Sequence, residues 1–159
     1  MTRWLPILGY EGRYEVSDDG QVRSLPGPGR GRSSRTRVMS ARNDGRGYLD
    51  VELYRGDGTH PRRRIHNLML EAFVGPRPDG AFGLHADDNP GNNTLPNLRW
   101  GSRSQNLLDM VTNGRHWNAR KTHCKWGHPF EGDNLRRAGR KRICRSCKRR
   151  RLAEYRRAA

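Results

Sequence analysis

Four potential metal ligands in the last quarter of the chain place the strongest constraint on its fold. Cys124, His128, Cys144 and Cys147 form the pattern C-x3-H-x15-C-x2-C, two close pairs joined by a basic segment that ends in NLRRAGRKRI. Four sulfur and nitrogen donors in two close pairs are the set that a tetrahedral structural zinc requires. A polar, arginine-rich segment has no core in which to bury free thiols. We therefore predict one structural Zn²⁺ on these four residues.

The whole chain is poor in the residues that build a core. Hydrophobic residues make up 32% of its 159 residues, against ~45–50% (a count that includes glycine) in ordinary globular domains. One large core cannot be built from this sequence, so we predict two or three small modules, for which bound metal is a common support. Zinc would contribute ~10–16 kcal/mol of apparent binding free energy to such a module.

The order of the zinc ligands predicts a module at residues 120–159. A knuckle, a hairpin-like segment and then Cys-x2-Cys at the start of a helix resemble a treble-clef zinc finger. Three cysteines, an odd number, cannot close into a disulfide framework, which also points to metal. His116 and His123 are alternative donors, but His128 has the better spacing.

Positive charge is concentrated in this module. The formal charge is +16 with a pI near 11.2; residues 120–159 hold fifteen Lys/Arg and three Asp/Glu, or +12, which leaves +4 for the first 119 residues. Such a region typically binds polyphosphate, because each neutralised phosphate releases counterions. The alternative is a solvated surface that binds nothing. The residues that we predict to contact such a polyphosphate are Arg99 of the central region and, in this module, Arg136, Arg137, Arg140, Lys141, Arg142, Lys148, Arg149, Arg150 and Arg151.

Membrane association is disfavoured by the apolar pattern. The final RLAEYRR offers only Leu152 and Tyr155 to an interface, too few for the broad apolar face that an interfacial helix needs. No apolar run is long enough to span a bilayer, and there is no signal peptide with a basic start and an apolar centre. We therefore predict an intracellular, cytoplasmic protein with no membrane partner.

Two segments near the N-terminus have distinct patterns. In residues 3–25, Asp19-Gly20 is flanked by YEVS and QVRSL, which predicts a tight hairpin. The following PGPGRGRSSRTR, residues 26–37, has no apolar residue with which to pack and is typical of a flexible basic linker. Contact of this linker with phosphates and a purely connecting role remain equally open.

Helical patterns occur on both sides of the central region. From Ile65 the apolar residues recur at i, i+3, i+4, i+7 and i+8 up to Phe73, which predicts one helix with a buried face. His66 lies off that face and is interpreted as a surface or packing residue. A second helix is predicted from Arg103 to about Asn113, because Ser102 and Gln105 make a capping box. Its predicted buried side consists of Leu107, Leu108 and Val111.

Between these helices, a histidine and two asparagines have a spacing typical of a nuclease site. In LHADDNPGNNTLPNLRWGSRSQN, residues 84–106, eleven residues separate His85 from Asn97 and eight separate Asn97 from Asn106. The His85 imidazole titrates near neutrality and suits a general base. The Asn106 amide oxygen suits a hard ion such as Mg²⁺. Asn97 both donates and accepts hydrogen bonds and is placed to fix the loop.

This stretch resembles the HNH endonucleases of the His-Me finger type, and within them the phage homing endonucleases. The resemblance rests on HNLMLEAFVG before the site, His85, Asp88, Asn92-Asn93, Asn97-Leu98-Arg99-Trp100 and Asn106. Trp4 and GYEGRYEVSDDGQVRSL also resemble the small DNA-contacting NUMOD4 module that precedes many of these nucleases. Together the two matches cover most of residues 3–113.

The resemblance implies an α+β, multi-module chain around a ββα-metal nuclease core. The implied modules are residues 1–27 (NUMOD4-like), 28–42 (basic linker), 43–115 (HNH nuclease) and 120–159 (zinc-binding). His85 would be the general base, Asn106 a ligand of one catalytic Mg²⁺ or Mn²⁺, and Asn97 the loop-fixing residue. The partner would be double-stranded DNA, and the products would carry 5'-phosphate and 3'-hydroxyl ends.

Leu84 departs from the family's pattern. Homing enzymes of this type commonly carry an aspartate before the base histidine as a second metal ligand, whereas a leucine side chain has no donor atom. Asp87 or Asp88 would substitute, or water and phosphate would fill the vacancy, or the site is catalytically weakened.

The leading hypothesis is therefore a metal-dependent DNA endonuclease, acting as a monomer or a homodimer. One alternative is a weakened or inactive DNA-binding protein on an HNH scaffold, which Leu84 favours. The other is an RNA-binding accessory factor, which the basic tail alone would permit.

Overall fold

The computed structural model describes residues 1–27, 34–139 and 141–158. Within them short antiparallel sheets alternate with helices, so the predicted α+β class is confirmed. The chain divides into two compact units, Met1–Asn113 and Gly114–Ala159. Each unit is described by itself.

The first unit begins with a four-stranded antiparallel sheet in sequence order, consisting of β1 (Trp4–Pro6), β2 (Tyr14–Ser17), β3 (Val22–Ser24) and β4 (Arg37–Val38). The predicted turn at Asp19-Gly20 joins β2 to β3. Gly20 has a φ of 86°, a left-handed conformation that costs glycine nothing. Tight pairing of β2 and β3 follows from this turn.

The segment predicted as a basic linker, residues 28–42, is only partly described. Residues 28–33 lie outside the described residues. Arg37 pairs with Ser24 and Val38 with Arg23, so the later part of the segment contributes an exposed edge strand to the first sheet.

A three-stranded antiparallel sheet leads into the first helix. It consists of β5 (Arg42–Asn43), β6 (Leu49–Glu52) and β7 (Arg62–Arg64), followed directly by α1 (Ile65–Phe73). The predicted apolar face of α1 is buried at Ile65, Leu68 and Met69. Of the two interpretations of His66, packing is confirmed and surface exposure is wrong, since its side chain is also buried; α1 packs against strands on more than one side, which a single helical period does not reveal.

A hairpin and a helix complete the first unit. Strands β8 (Phe82–His85) and β9 (Leu98–Gly101) pair with Leu84 opposite Arg99 and His85 opposite Leu98. A single 3₁₀ turn, Leu95–Asn97, leads into β9. Helix α2 (Arg103–Thr112) follows, and the predicted capping box is present in full.

The predicted buried side of α2 is wrong. Leu107, Leu108 and Val111 are all exposed, Leu108 by 59%, and no residue of α2 is buried. Polar contacts hold this helix instead: Asp109 pairs with Arg99 of β9, and Asn113 donates to the Ala86 carbonyl at 2.8 Å. The capping box correctly predicted the helix, but the apolar positions did not predict the direction of its packing.

One continuous core runs through the first unit. It combines side chains of the N-terminal sheet with those of α1, β6 and β9: Ile7, Tyr10, Val16, Val22, Val51, Leu53, Ile65, Leu68, Met69, Leu70 and Leu98. The segments predicted as an N-terminal module and as a nuclease domain therefore bury their apolar residues against each other.

The second unit is a small hairpin and a helix. A 3₁₀ turn (Gly132–Asn134) precedes β10 (Leu135–Ala138) and β11 (Lys141–Cys144), which pair antiparallel. Helix α3 (Arg145–Ala158) follows at once and has no buried residue. No helix in the described ranges is long and apolar enough to cross a membrane.

Candidate active site and zinc centre

His85 ends strand β8 and lies in a buried polar pocket of the first unit. Its side chain is 6% exposed. Its Nε2 lies 3.3 Å from Oδ1 of Asn93, and Asn93 is itself buried. Burial lowers the pKa of His85, while the Asn93 hydrogen bond and the nearby Asp87 charge act in the opposite direction. The imidazole is therefore neutral at neutral pH, as a general base must be.

Two further rings enclose this imidazole. The ring centroids of His66 and His85 are 4.9 Å apart, and those of Tyr48 and His85 are 5.9 Å apart, both pairs edge to face. Burial, followed by the charges of His85 and Arg64, lowers the pKa of His66 to about 4. The chain thus brings two neutral histidines into contact.

Asn97 makes several hydrogen bonds within the loop between β8 and the 3₁₀ turn. The Asn97 Oδ1 accepts from the Asp87 backbone N–H at 3.1 Å. Its Nδ2 donates to Asp87 Oδ1 at 3.0 Å and to the Asn92 carbonyl at 2.9 Å. One amide therefore ties both ends of the loop together.

Asp87 is engaged by the same loop. Its carboxylate accepts from the side chains of Asn92 and Asn97 and from the Asn89 backbone N–H. Donation by Asn92 is the leading cause that lowers the Asp87 pKa to about 2. The Asp87 oxygens already accept three hydrogen bonds within the loop, so most of their acceptor capacity is used there.

Asp88 is held differently. It has a φ of 55°, and its Oδ2 accepts from Nδ2 of Asn113, just after α2, at 3.0 Å. This bond joins the loop to the end of α2.

Asn106 is the clearest candidate ligand for a divalent ion. It lies half-buried in the first turns of α2, and within the described ranges its side-chain amide makes no hydrogen bond. An uncommitted amide oxygen fits a hard ion such as Mg²⁺ or Mn²⁺. Leu84 is buried and contacts the Gly101 position, so it contributes no donor. With Asn106 as a candidate ligand and no donor atom from Leu84, a bound ion would have few protein ligands.

The sequence argument missed three residues of this site, namely Tyr48, His66 and Asn93. Asn93 was part of the family resemblance but received no role. Tyr48 and His66 belong to other elements, so only tertiary packing brings them to His85. The HNL run at the start of α1 was the available signal for His66.

The predicted zinc ligands converge in the second unit. The donor atoms of Cys124, His128, Cys144 and Cys147 all lie within 4.8 Å of one another. Cys124 Sγ is 3.4 Å from His128 Nδ1 and 3.5 Å from Cys147 Sγ. Ligands around tetrahedral zinc are separated by about 3.5–3.8 Å, given Zn–S near 2.3 Å and Zn–N near 2.0 Å. The cluster therefore has the size and chemistry of a zinc site.

The local fold explains this convergence. A turn brings Cys124 and His128 together, with the Cys124 N–H donating to the His128 carbonyl at 2.9 Å, while Cys144 ends β11 and Cys147 begins α3. Donation by the Cys147 backbone N–H is the leading cause that lowers the pKa of Cys144 to about 6. Burial and the neighbouring thiols raise the pKa of Cys147 to about 11. A bound cation would offset this crowding of thiolates.

The predicted DNA-contacting residues fall into two groups. Arg99 and Arg142 have structural partners: Arg99 pairs with Asp109, and Arg142 donates to the Lys121 carbonyl at 2.7 Å. Arg140 lies outside the described residues. The others are exposed on the second unit: Arg136, Arg137, Lys141, Lys148, Arg149, Arg150 and Arg151.

Two parts of the first unit match the models of known protein families. Residues 3–54 match the model of the NUMOD4 motif, and residues 63–108 match that of an HNH endonuclease family. The NUMOD4 match therefore extends past the predicted limit of residue 27. Neither match favours the RNA-binding alternative.

A curated protein and a solved structure are similar to the chain. DNA endonuclease I-HmuI of Bacillus phage SP01 is 32% identical over 111 residues, which are 70% of this chain and 59% of that protein. A structure described as DNA binding and cleavage by the HNH homing endonuclease I-HmuI has a TM-score of 0.61 and 29% identity, and the match covers 72% of this chain and 60% of that one. The chain thus spans about three fifths of this relative's length.

Proposed function

We propose that this chain, a relative of the HNH homing endonucleases with an N-terminal NUMOD4 motif, is a metal-dependent endonuclease that hydrolyses phosphodiester bonds of double-stranded DNA. The observation that carries the proposal is the buried, neutral His85 at the end of β8, beside a loop that Asn97 fixes. A rigid frame around a neutral imidazole is what general-base hydrolysis requires.

In this mechanism His85 takes a proton from the water that attacks the phosphorus. Asn97 keeps the loop after β8 in place, so the base stays at a fixed position relative to the phosphate. Asn106 would hold one Mg²⁺ or Mn²⁺, which when bound would neutralise charge on the scissile phosphate and the leaving oxygen.

The role of the two aspartates follows from their partners. Asp87 acts as a loop-fixing residue because its oxygens accept three hydrogen bonds within the loop. Asp88, whose Oδ2 accepts from Asn113, is the other candidate to substitute for the donor that Leu84 lacks, and phosphate and water oxygens would complete the coordination of the ion.

The second unit would grip the DNA. One structural Zn²⁺ on Cys124, His128, Cys144 and Cys147 would hold the start of α3, and the exposed Lys148, Arg149, Arg150 and Arg151 would neutralise phosphates. Four protein ligands close the coordination shell, so this ion takes no part in hydrolysis.

A plasmid cleavage assay tests the proposal. Supercoiled plasmid incubated with purified protein and Mg²⁺ or Mn²⁺ is expected to yield nicked or linear DNA, and His85→Ala should reduce the rate by on the order of 100-fold or more. A matched control is His60→Ala, at an exposed histidine of the same unit. Equal low background from the wild type and His85→Ala, with DNA binding intact in both, would instead favour the inactive DNA-binding alternative.

A further inference from the structure

The N-terminal hairpin contacts the residue that hydrogen-bonds His85. A Cβ placed on Gly20, in the β2–β3 turn, would lie 2.5 Å from the carbonyl oxygen of Asn93 and 2.8 Å from its Cβ. Next to this contact, the Leu95 N–H donates to the Asp18 carbonyl at 3.1 Å. The turn therefore supports the chain directly on both sides of residue 94.

Asn93 is buried, and of the two polar atoms of its side chain only the oxygen has a hydrogen-bond partner in the described part of the chain. It is 5% exposed, its Oδ1 faces Nε2 of His85, and its Nδ2 is buried without a hydrogen-bond partner in the described part of the chain. A buried donor without a partner destabilises the fold. The chain carries this amide although its unpartnered nitrogen lowers the stability of the fold. This indicates a role for the amide oxygen, which faces His85.

The direction of this hydrogen bond fixes the tautomer of the base. An amide oxygen only accepts, so Nε2 of His85 carries the hydrogen and Nδ1 keeps the lone pair. His66 and Tyr48 pack edge to face against the same ring, which restricts its rotation.

We infer that Asn93 is a positioning residue that sets the tautomer of His85, and that Gly20 of the N-terminal hairpin keeps Asn93 in place. The N-terminal hairpin is then a structural part of the catalytic centre and not only a contact to DNA. The kinetic part of this inference rests on the proposed function, in which His85 is the base, whereas the tautomer does not depend on it.

Substitutions at two glycines separate this role from general destabilisation. Gly20→Ala and Gly9→Ala both place alanine at a positive φ, 86° and 78°, but a Cβ at Gly9 meets nothing within 4 Å. The strain from the positive φ should be similar in the two variants, whereas only Gly20→Ala adds an overlap with Asn93 and should displace it. We expect the cleavage rate at saturating Mg²⁺ to fall by on the order of 10- to 100-fold in Gly20→Ala with little change in KM, and to stay within about twofold of wild type in Gly9→Ala.

Substitutions at residue 93 test the hydrogen bond itself. Asn93→Ala removes the acceptor and should reduce the rate as Gly20→Ala does. Asn93→Asp retains an acceptor oxygen and should restore most of that loss. Equal losses in the alanine and aspartate variants, or in the two glycine variants, would overturn the inference.

A spectroscopic measurement gives an answer even if the protein does not cleave DNA. In full-length protein with nitrogen-15-labelled histidine, the shifts of the two ring nitrogens identify the tautomer. We expect Nε2–H for His85 in the wild type, Gly9→Ala and Asn93→Asp, and a mixture in Asn93→Ala and Gly20→Ala. An Nδ1–H tautomer in the wild type, or no change in Asn93→Ala, would refute the positioning role whatever the plasmid assay gives.

Discussion

Leu84 offers no donor atom to a divalent ion in the first unit. Its side chain is buried in β8 directly before His85, at the position where related homing enzymes commonly carry an aspartate. In the proposed function, the ion would therefore be held by Asn106 and by oxygens of the loop or substrate.

Introducing the missing carboxylate should make folding depend on the metal. In Leu84→Asp without divalent ions, we expect the unfolding midpoint to fall, because a buried carboxylate without a partner is costly. Added Mg²⁺ should raise the midpoint again and increase the cleavage rate above that of the wild type. Thermal unfolding with and without Mg²⁺ measures this effect, with Leu84→Ala as the control; the same Mg²⁺ response in both variants would contradict a ligand at this position.

His66 should make the first unit sensitive to acid. Its pKa is lowered from 6.5 to about 4 by burial, so below pH 6.5 the unfolded chain binds a proton that the folded chain excludes. The free energy of unfolding should therefore fall between pH 6.5 and about pH 4, by up to roughly 3 kcal/mol. His85, whose pKa is also lowered, contributes in the same direction.

Removing the titrating group tests this assignment. His66→Phe retains a buried ring but removes the titrating group. The free energy of unfolding, measured with denaturant from pH 7 to pH 4, should therefore fall less steeply with decreasing pH than in the wild type. His60→Phe, at an exposed histidine, should leave the slope in place. An unchanged slope in His66→Phe would mean that other groups cause the acid sensitivity.

At the scale of elements, the proposed zinc would replace the apolar packing that helix α3 lacks. No residue of α3 is buried, and its first turn carries the ligand Cys147. Asn134 supports the same end, because its Oδ1 accepts from the Ser146 N–H at 2.9 Å and from the Ser146 hydroxyl at 2.8 Å.

Loss of one zinc ligand should therefore unfold the second unit alone. Cys144→Ser is expected to lose stoichiometric zinc and the helical signal of α3, because about 10–16 kcal/mol of binding free energy is removed. Metal analysis and circular dichroism measure the two losses. Ser146→Ala serves as a control that leaves all four ligands in place. Retention of one zinc per chain in Cys144→Ser would exclude this ligand set.

The helices also illustrate what apolar periodicity predicts. In α1 it gave both the element and its buried face, because strands cover that face from the same unit. In α2 the capping box predicted the element, and the apolar positions predicted a buried side that is wrong, since Leu107, Leu108 and Val111 are exposed. A sequence period identifies the side on which apolar residues lie, whereas neighbouring elements decide whether that side is covered.

At the scale of the whole molecule, the second unit carries most of the net charge and has few acidic partners for it. In the described part of α3, Arg150 with Glu154 is the one ion pair, at 3.5 Å. The remaining cations are available to phosphates, so they should dominate the salt dependence of DNA binding.

Neutralising two of them gives a quantitative test. Arg149→Ala with Arg151→Ala should lower the slope of log K against log salt by about 0.9 for each phosphate that the protein no longer neutralises. The cleavage rate at saturating protein should be unchanged. Arg149→Lys with Arg151→Lys conserves the charge and should preserve the slope, as measured by fluorescence anisotropy on duplex DNA. A slope unaffected by the alanine pair would mean that other residues bind the phosphates.

The sequence by itself determined the chemistry that is local along the chain. The zinc ligands, the Asp19-Gly20 hairpin, the α2 capping box and the loop bonds of Asn97 each depend on residues close in sequence or on ligand types with one common use. Such features are encoded by spacing and side-chain type, so they were predictable before any tertiary contact was known.

Tertiary structure alone decided what surrounds His85. Packing within the first unit brings His66 of helix α1 and Tyr48, just before β6, to the His85 ring. The same packing brings the Gly20 turn to Asn93, the loop residue that faces His85. Burial then lowers the pKa of both histidines. Burial and contacts between residues that are far apart in sequence result from tertiary packing, so the spacing of residues along the chain does not predict them.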